Sequence, residues 1–382
     1  MEVPSHRILM TVSNDLVTDQ RVGRSCDALV DAGYSVILVG RRLPPAVPLV
    51  RRYPTVRLRL LFRKGPLFYA ELNMRLFFWL LLHKGDLFYA NDTDTLLACY
   101  LAARLRRKPL FFDAHELFPE VPELADRPRI QRVWQRIERH VLTRLGRSLK
   151  GAAVTVSQPI AEYYHERYGI TMQVVRNLSE YRVPSTTTTV ELPQGHILLY
   201  QGAVNEGRCV DWLIDAMEFL PECHLLVAGT GDCYQPLRSY AASRPWKERI
   251  TFLGRIEPAT LHSLTPHATL GLVLMEKKGL SYYYSFPNRI SDFVMAGVPV
   301  AASDFPEINR FLSLYPVGCL IDTTVRPTPQ QLAKTLQEAI SRWLQTDPDE
   351  RAARFEAARE ELSWDKEKFI LVYAVDAIFR TS

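Results

Sequence analysis

The chain has 382 residues, with 47% hydrophobic and 23% charged content, the composition of a soluble globular protein too long for one ordinary core. Its longest pure apolar run is LFFWLLL, residues 76–82, far short of the roughly 20 residues that cross a bilayer, so a membrane span is excluded. The net charge of +5 is unevenly spread: 27 Lys/Arg stand against 17 Asp/Glu up to Asn177, and 20 against 25 beyond it. A basic half of this kind suits anions such as phosphates or lipid headgroups, although any single arginine serves solubility equally well.

The first strand is expected at RILMTVS, directly after MEVPSHR, with no secretory signal visible before it. NDLVTDQRVGR follows and places Asp19 and Arg21 at a helix start. SVILVG is a second strand. Residues 51–84 then mix six arginines, two lysines and many aromatics. They read either as a surface that docks on an anionic membrane or as a basic strand and a core helix. GDLFYAND is a strand ending in Asn91 and Asp92. DTLLACYLAARLRR is helical. KPLFFDAHE is a strand ending in Asp113, His115 and Glu116. AAVTVS and TMQVVRN are further strands. Short apolar strands separated by helices indicate a parallel sheet covered on both faces.

VPSTTTTVELPQG, residues 183–195, lacks periodicity and reads as a linker between domains 1–182 and 196–361. The alternation restarts with HILLYQG, HLLVAGTGD, ITFLGRI, LGLVLM and GCLID. The expected architecture is α/β, with two Rossmann-like domains whose parallel sheets face a central cleft. Ligands of such sheets sit beyond the carboxyl ends of the strands. In the second half those ends carry Gly202 to Arg208, Gly229 to Asp232, Gly254 to Ile256, and the stretch YYYSFPNRISDFVMAGVPVAAS at 282–303. That stretch reads as a turn at Pro287 and Asn288, a helix carrying Arg289 and Asp292, a stop at Gly297, and a strand from Val298 to Ala302.

The first strand carries no G-x-G-x-x-G, and the chain holds no Walker A sequence and no G-x-S-x-G. AGTGD, with Gly231, is a ligand turn or only a tight turn. Arg208, after a glycine-containing loop, can pair with phosphate oxygens, and Arg289 can do the same from inside its helix. The N–H groups at the start of that helix suit a diphosphate. Asp292, one turn in, can accept from ribose hydroxyls or merely complement the helix dipole. His115 can exchange protons near neutral pH, bind a substrate hydroxyl, or serve structure alone. The six cysteines are scattered without metal-ligand spacing, as in a reduced cytoplasmic protein. Asp92-Thr93-Asp94 has the letters of a DxD metal motif but lies in the first domain, so no metal is expected.

TDQRVGR, DAHE, YQGAVNEGR, LLVAGTGD, ITFLGRI and SFPNRISDFVMAGVPVAAS together, in this order, resemble the retaining glycosyltransferases of family 4, which have the GT-B fold. The last resembles the PNK-(L/I)-x-E-x-(M/A)-A-x-G-x-PV pattern of bacterial members that build surface polysaccharides. SWDKEKFILVY resembles the family's terminal helix, so that residues 362–382 would cross back to the first domain. The resemblance implies transfer of a sugar from a nucleotide diphosphate sugar to a sugar or lipid-linked acceptor, without metal or other cofactor and without a nucleic-acid partner. It matches Arg208 to the residue binding the donor diphosphate and the Ser285, Phe286, Pro287 and Asn288 backbone to the loop cradling it. It matches Asp292 to the ribose acid, and Arg255 and Ile256 to the nucleobase segment. His115 matches the histidine near the transferred sugar. Arg21, Asn91, Asp92 and Glu116 are placed toward the acceptor. Two departures stand out. The first acid of the family's E-x7-E motif is here Tyr284, and the second is the shorter Asp292. Two rivals remain: a GT-B scaffold that binds nucleotide sugars without turnover, and a sugar-nucleotide epimerase.

Overall fold

The computed structural model describes residues 6–17, 19–43, 48–121, 124, 127–145, 151–178 and 187–380. The chain forms two compact units. One takes the chain up to Asn177, Gly279–Ser281 and the chain from Asp365; the other takes Leu178–Lys278 and Tyr282–Trp364. Of the expected linker, residues 183–186 lie outside the described residues, and 187–195 have no regular structure.

The first unit is a parallel sheet of seven strands among the described residues, in the order β3-β2-β1-β4-β5-β6-β7. They are β1 Arg7–Asp15, β2 Ser35–Arg41, β3 Thr55–Leu58, β4 Leu87–Asn91, β5 Leu110–Ala114, β6 Gly151–Thr155 and β7 Gln173–Val174. The strand order reverses between β1 and β4, and ligands of such sheets bind at that point. Helix α1, Gln20–Asp31, starts where Asp19 accepts the Val22 N–H at 3.1 Å. Helix α2, Gly65–Leu82, contains the LFFWLLL run and buries Phe68, Leu72, Leu76 and Leu80 on one face. Helix α3, Thr93–Arg106, begins directly after β4. The terminal helix Trp364–Arg380 packs in this unit: Glu367 binds Arg176 at 2.7 Å, and Phe379 stacks on His6 with ring centroids 4.1 Å apart.

The second unit is a parallel six-stranded sheet among the described residues, ordered β10-β9-β8-β11-β12-β13. Its strands are β8 His196–Gln201, β9 Cys223–Ala228, β10 Ile250–Gly254, β11 Leu270–Val273, β12 Val300–Ser303 and β13 Gly318–Ile321. Side chains alternate along β8: Ile197 and Leu199 enter one apolar cluster, Leu198 and Tyr200 the other, so both faces are covered. The strand expected from Val298 begins instead at Val300, because Pro299 offers no N–H to the ladder and only its carbonyl is used, by Gly271. TMQVVRN contributes only the two-residue β7.

Candidate functional site

In the first unit the ends of β1, β4 and β5 gather a polar cluster. The Tyr89 hydroxyl and the Arg21 guanidinium both donate to the Asp113 carboxylate, each at 2.8 Å. Arg21 also donates to the Val175 carbonyl at 3.1 Å and is only 5% exposed. Arg21, expected at the acceptor, is therefore engaged in holding Asp113. Asp92 has φ +61°, a left-handed conformation that side chains other than glycine rarely adopt. Its N–H donates to the Asp113 carbonyl at 2.9 Å, and its carboxylate accepts the His115 N–H at 2.7 Å. The imidazole thus lies between two acids, with Nδ1 3.3 Å from Asp92 and Nε2 3.4 Å from Asp113.

Electrostatics follow from this placement. Burial alone would favour the neutral imidazole, but the Asp92 and Asp113 charges outweigh it and push His115 up to about 9. It is an imidazolium at neutral pH, a donor rather than a base. Burial acts to raise Asp113, yet Arg21 and His115 overcome it and hold that carboxyl below the usual carboxylate range. Asp92 is raised by burial. Asp94, which burial and then the Asp92 charge push up to about 7, is a buried acid that the sequence reading left aside. Asn91 donates to the Thr11 carbonyl at 3.0 Å. One carboxylate oxygen of Asp94, the Asn91 Oδ1 and the His115 Nε2 are buried without a hydrogen-bond partner. In native interiors such atoms are usually satisfied by protein groups or ordered water. Glu116, next to His115, is half-buried.

In the second unit the strand order reverses between β8 and β11, and the loops after both strands carry the predicted residues. Arg208 lies over the Tyr282 ring at 4.6 Å and meets the Met275 sulfur at 2.8 Å. Arg289, in the first turn of the helix Asn288–Met295, lies over the Tyr200 ring at 5.1 Å and donates to the Gln201 carbonyl at 3.3 Å. A Cβ on Gly202 would stand 3.1 Å from the Arg289 Cδ, so the glycine lets the guanidinium approach. Burial, together with the like charge of Arg208, lowers the Arg289 pKa. The nearby carboxylates Glu206 and Glu276 bind Lys278, at 2.6 and 3.3 Å. Neither Arg208 nor Arg289 has a carboxylate partner among the described residues, and Arg208 Nε and Arg289 Nη2 are buried without any partner.

The remaining predicted donor residues lie in the same unit. The Ser285 N–H is already taken by the Tyr282 carbonyl, so the amides left for an anion are those at the start of the helix. Phe286 is buried against Phe311. Pro287 is the N-cap, Asn288 is exposed, and Asp292 lies half-buried one turn along. Tyr284 packs on Tyr283 at 5.4 Å. Gly231 runs beside Asn205, where a Cβ would meet the amide oxygen at 2.1 Å. Arg255 is exposed and Ile256 packs on the core. Among the described residues no group of three or more His, Cys, Asp or Glu is placed to hold a metal.

The family description Glycosyltransferase Family 4 matches residues 20–178, and Glycosyl transferases group 1 matches residues 195–342. The chain is built from glycosyltransferase domains. Their two parallel-sheet Rossmann-like units are those of the GT-B fold, shared with solved structures across nearly all of the chain. The sucrose-phosphate synthase of Thermosynechococcus elongatus is similar over 99% of this chain and 100% of its own, at 18% identity and a TM-score of 0.74. HepE of Anabaena, solved with UDP and glucose, is similar over 99% and 100%, at 14% identity and 0.70. WaaG, a glycosyltransferase involved in lipopolysaccharide biosynthesis, is similar over 95% and 99%, at 14% identity and 0.67. Comparison by sequence with curated proteins gives no match. The His115 cluster lies within the first matched range and the Arg208–Arg289 pair within the second.

Proposed function

We propose that the protein is a retaining hexosyltransferase that moves a sugar from a nucleoside diphosphate sugar to an acceptor hydroxyl in polysaccharide or glycolipid assembly. The observation that carries this reading is the Arg208–Arg289 pair. Two like charges with no carboxylate between them are unfavourable alone and fit a diphosphate, which accepts from both. The glycosyltransferase domains, and the UDP held by HepE, support a nucleotide donor. WaaG supports the glycolipid role.

The difficult event is departure of the diphosphate. Arg208, Arg289 and the amides at the start of the helix Asn288–Met295 stabilise the charge that develops there. Loss of one such donor commonly costs about 10²–10³ in rate. Asp292 accepts from the ribose hydroxyls, and Arg255 and Ile256 flank the base. His115, charged between its two acids, orients the sugar or an oxygen and does not act as the nucleophile. The leaving phosphate helps to deprotonate the acceptor on the same face. Asn91, Asp92 and Glu116 meet the acceptor. The protein works in the cytoplasm, on the inner face of an anionic membrane. Tyr284, in place of an acid, favours a second reading, a scaffold that binds the donor without turnover.

Thermal stabilisation by a panel of nucleoside diphosphates and their sugars tests the proposal. One nucleotide raises the Tm of the wild type, and Arg208→Ala and Asp292→Ala lose the rise. No rise with any nucleotide refutes a donor site. A rise without transfer or hydrolysis selects the scaffold.

A further inference from the structure

Glu138, on the helix Pro128–Leu142, is fully buried and has no part in the site described above. Its carboxylate accepts from three hydroxyls: Thr93 at 2.5 Å, and Tyr164 and Tyr168 of the helix Gln158–Tyr168 at 3.0 Å each. Among the described residues no cation pairs with it, and Arg167 lies over the Tyr163 and Tyr168 rings instead. An apolar side chain of similar volume often fills such a place with no loss of stability, so packing alone does not account for an acid here. Burial pushes Glu138 up to about 7, with the three hydroxyls acting against it. It is therefore a carboxylate throughout the titration of His115, near 9.

What this carboxylate holds is the start of α3. Thr93 is the first residue of that helix and directly follows Asp92. Asp92 stands at the N-cap position, yet its side chain caps nothing, because it is turned toward His115. Its left-handed backbone costs about 1–3 kcal/mol and persists only where the surroundings fix it. Four bonds do so. The Asp92 N–H, the Thr95 hydroxyl and the Asn73 side-chain amide each meet a backbone carbonyl, of Asp113, Asn91 and Asp94. Of the four, only the Thr93 hydroxyl meets a charged group, Glu138. A hydrogen bond to a charged group contributes about 1.5–3 kcal/mol, the same size as the strain it opposes.

We propose that Glu138 is a positioning residue: through the Thr93 hydroxyl it fixes the strained Asp92 turn that holds the His115 ring in place. Its part in sugar transfer rests on the reading of His115 as the group that orients the sugar, but the positioning itself is tested without substrate. The readout is the pH midpoint of the His115 Cε1 proton in the full chain. Thr93→Val keeps the shape of threonine and removes the hydroxyl, and Glu138→Ala removes its acceptor. Either change lets Asp92 relax away from the ring and lowers the midpoint by about half a pH unit or more, a fraction of the shift that one close carboxylate sets. Where Glu138→Ala leaves too little folded protein, Thr93→Val gives the reading alone. Thr93→Ser keeps the hydroxyl and the wild-type midpoint. Tyr168→Phe takes a donor from the other oxygen of the same carboxylate, away from α3, and leaves the midpoint unchanged. A Glu138 that serves packing alone lowers the Tm in Thr93→Val and Tyr168→Phe alike and moves the midpoint in neither; that result overturns the assignment. So does a midpoint that falls in Thr93→Ser as far as in Thr93→Val. A nucleoside-diphosphate rise in Tm is read on the same samples. Its absence from the wild type refutes the donor reading, while the midpoints still decide the role of Glu138.

Discussion

His115 offers a prediction that geometry alone sets. Its ring is 3.3 Å from Asp92 and 3.4 Å from Asp113, and its pKa rises from the ordinary 6.5 to about 9. That gap corresponds to about 3 kcal/mol of preference for the charged ring in the folded state. The folded pKa lies above the unfolded one, so this stabilisation is fully present below pH 6.5 and is lost as pH rises through 9. Asp94 and Glu138, both pushed up to about 7, first by burial, finish titrating before the end of that window. Urea unfolding at pH 7 and at pH 9.5 therefore shows a drop of about 2–3 kcal/mol from His115, on top of the loss from the buried thiols of Cys26, Cys99, Cys209, Cys223 and Cys319, which burial pushes up. Asp92→Asn removes one of the two acids and moves the His115 midpoint down by about a pH unit or more. The Cε1 proton of His115, followed by NMR, reads the midpoint directly. A wild-type midpoint at or below 6.5, or one that Asp92→Asn leaves in place, refutes the double-carboxylate account.

Arg289→Met keeps much of the side-chain volume and removes a buried charge repelled by Arg208, so it leaves the unliganded protein as stable or about 1–4 kcal/mol more stable while abolishing the nucleoside-diphosphate rise in Tm. Both effects appear in one thermal-shift experiment. Arg21→Ala strands the Asp113 carboxylate in the interior and costs about 3–5 kcal/mol in urea unfolding, and Asp113→Asn in the same chain recovers part of the loss. Gly229→Ala places a Cβ 1.8 Å from the Gly202 carbonyl at φ +149°, and the resulting strain of about 3 kcal/mol or more lowers the Tm without touching any charged group.

The alternation of apolar runs and helical spacing was enough to read two parallel sheets, because a strand buried on both faces announces itself as a continuous run. β8 and β11 are such runs. β3 and β7 stand at the two edges of their sheet, and their four and two residues carry no such run. Site residues at strand ends were legible for the same topological reason: Asn91 ends a strand, and Asp92, His115 and Arg208 follow strands. What sequence could not supply is who holds whom. Arg21 and Asp113 are 92 positions apart, and only the pairing of β1, β4 and β5 brings a helix-start arginine beneath that carboxylate. An arginine so engaged looks, in sequence, like one that greets an acceptor. Asp94 was passed over because its DxD letters suggested a metal motif on the wrong domain. The signal that would have found it is simpler: an acid three places beyond a buried strand enters the first turn of the next helix, where it is buried. Its burial beside the Asp92 charge is a consequence of three-dimensional packing, as is the approach of Arg208 and Arg289, 81 positions apart, each to a tyrosine ring. Among the unsatisfied buried atoms, those of Asn91, Asp94, His115, Arg208 and Arg289 lie near the points where the order of the strands reverses, which is where ligands of such sheets bind.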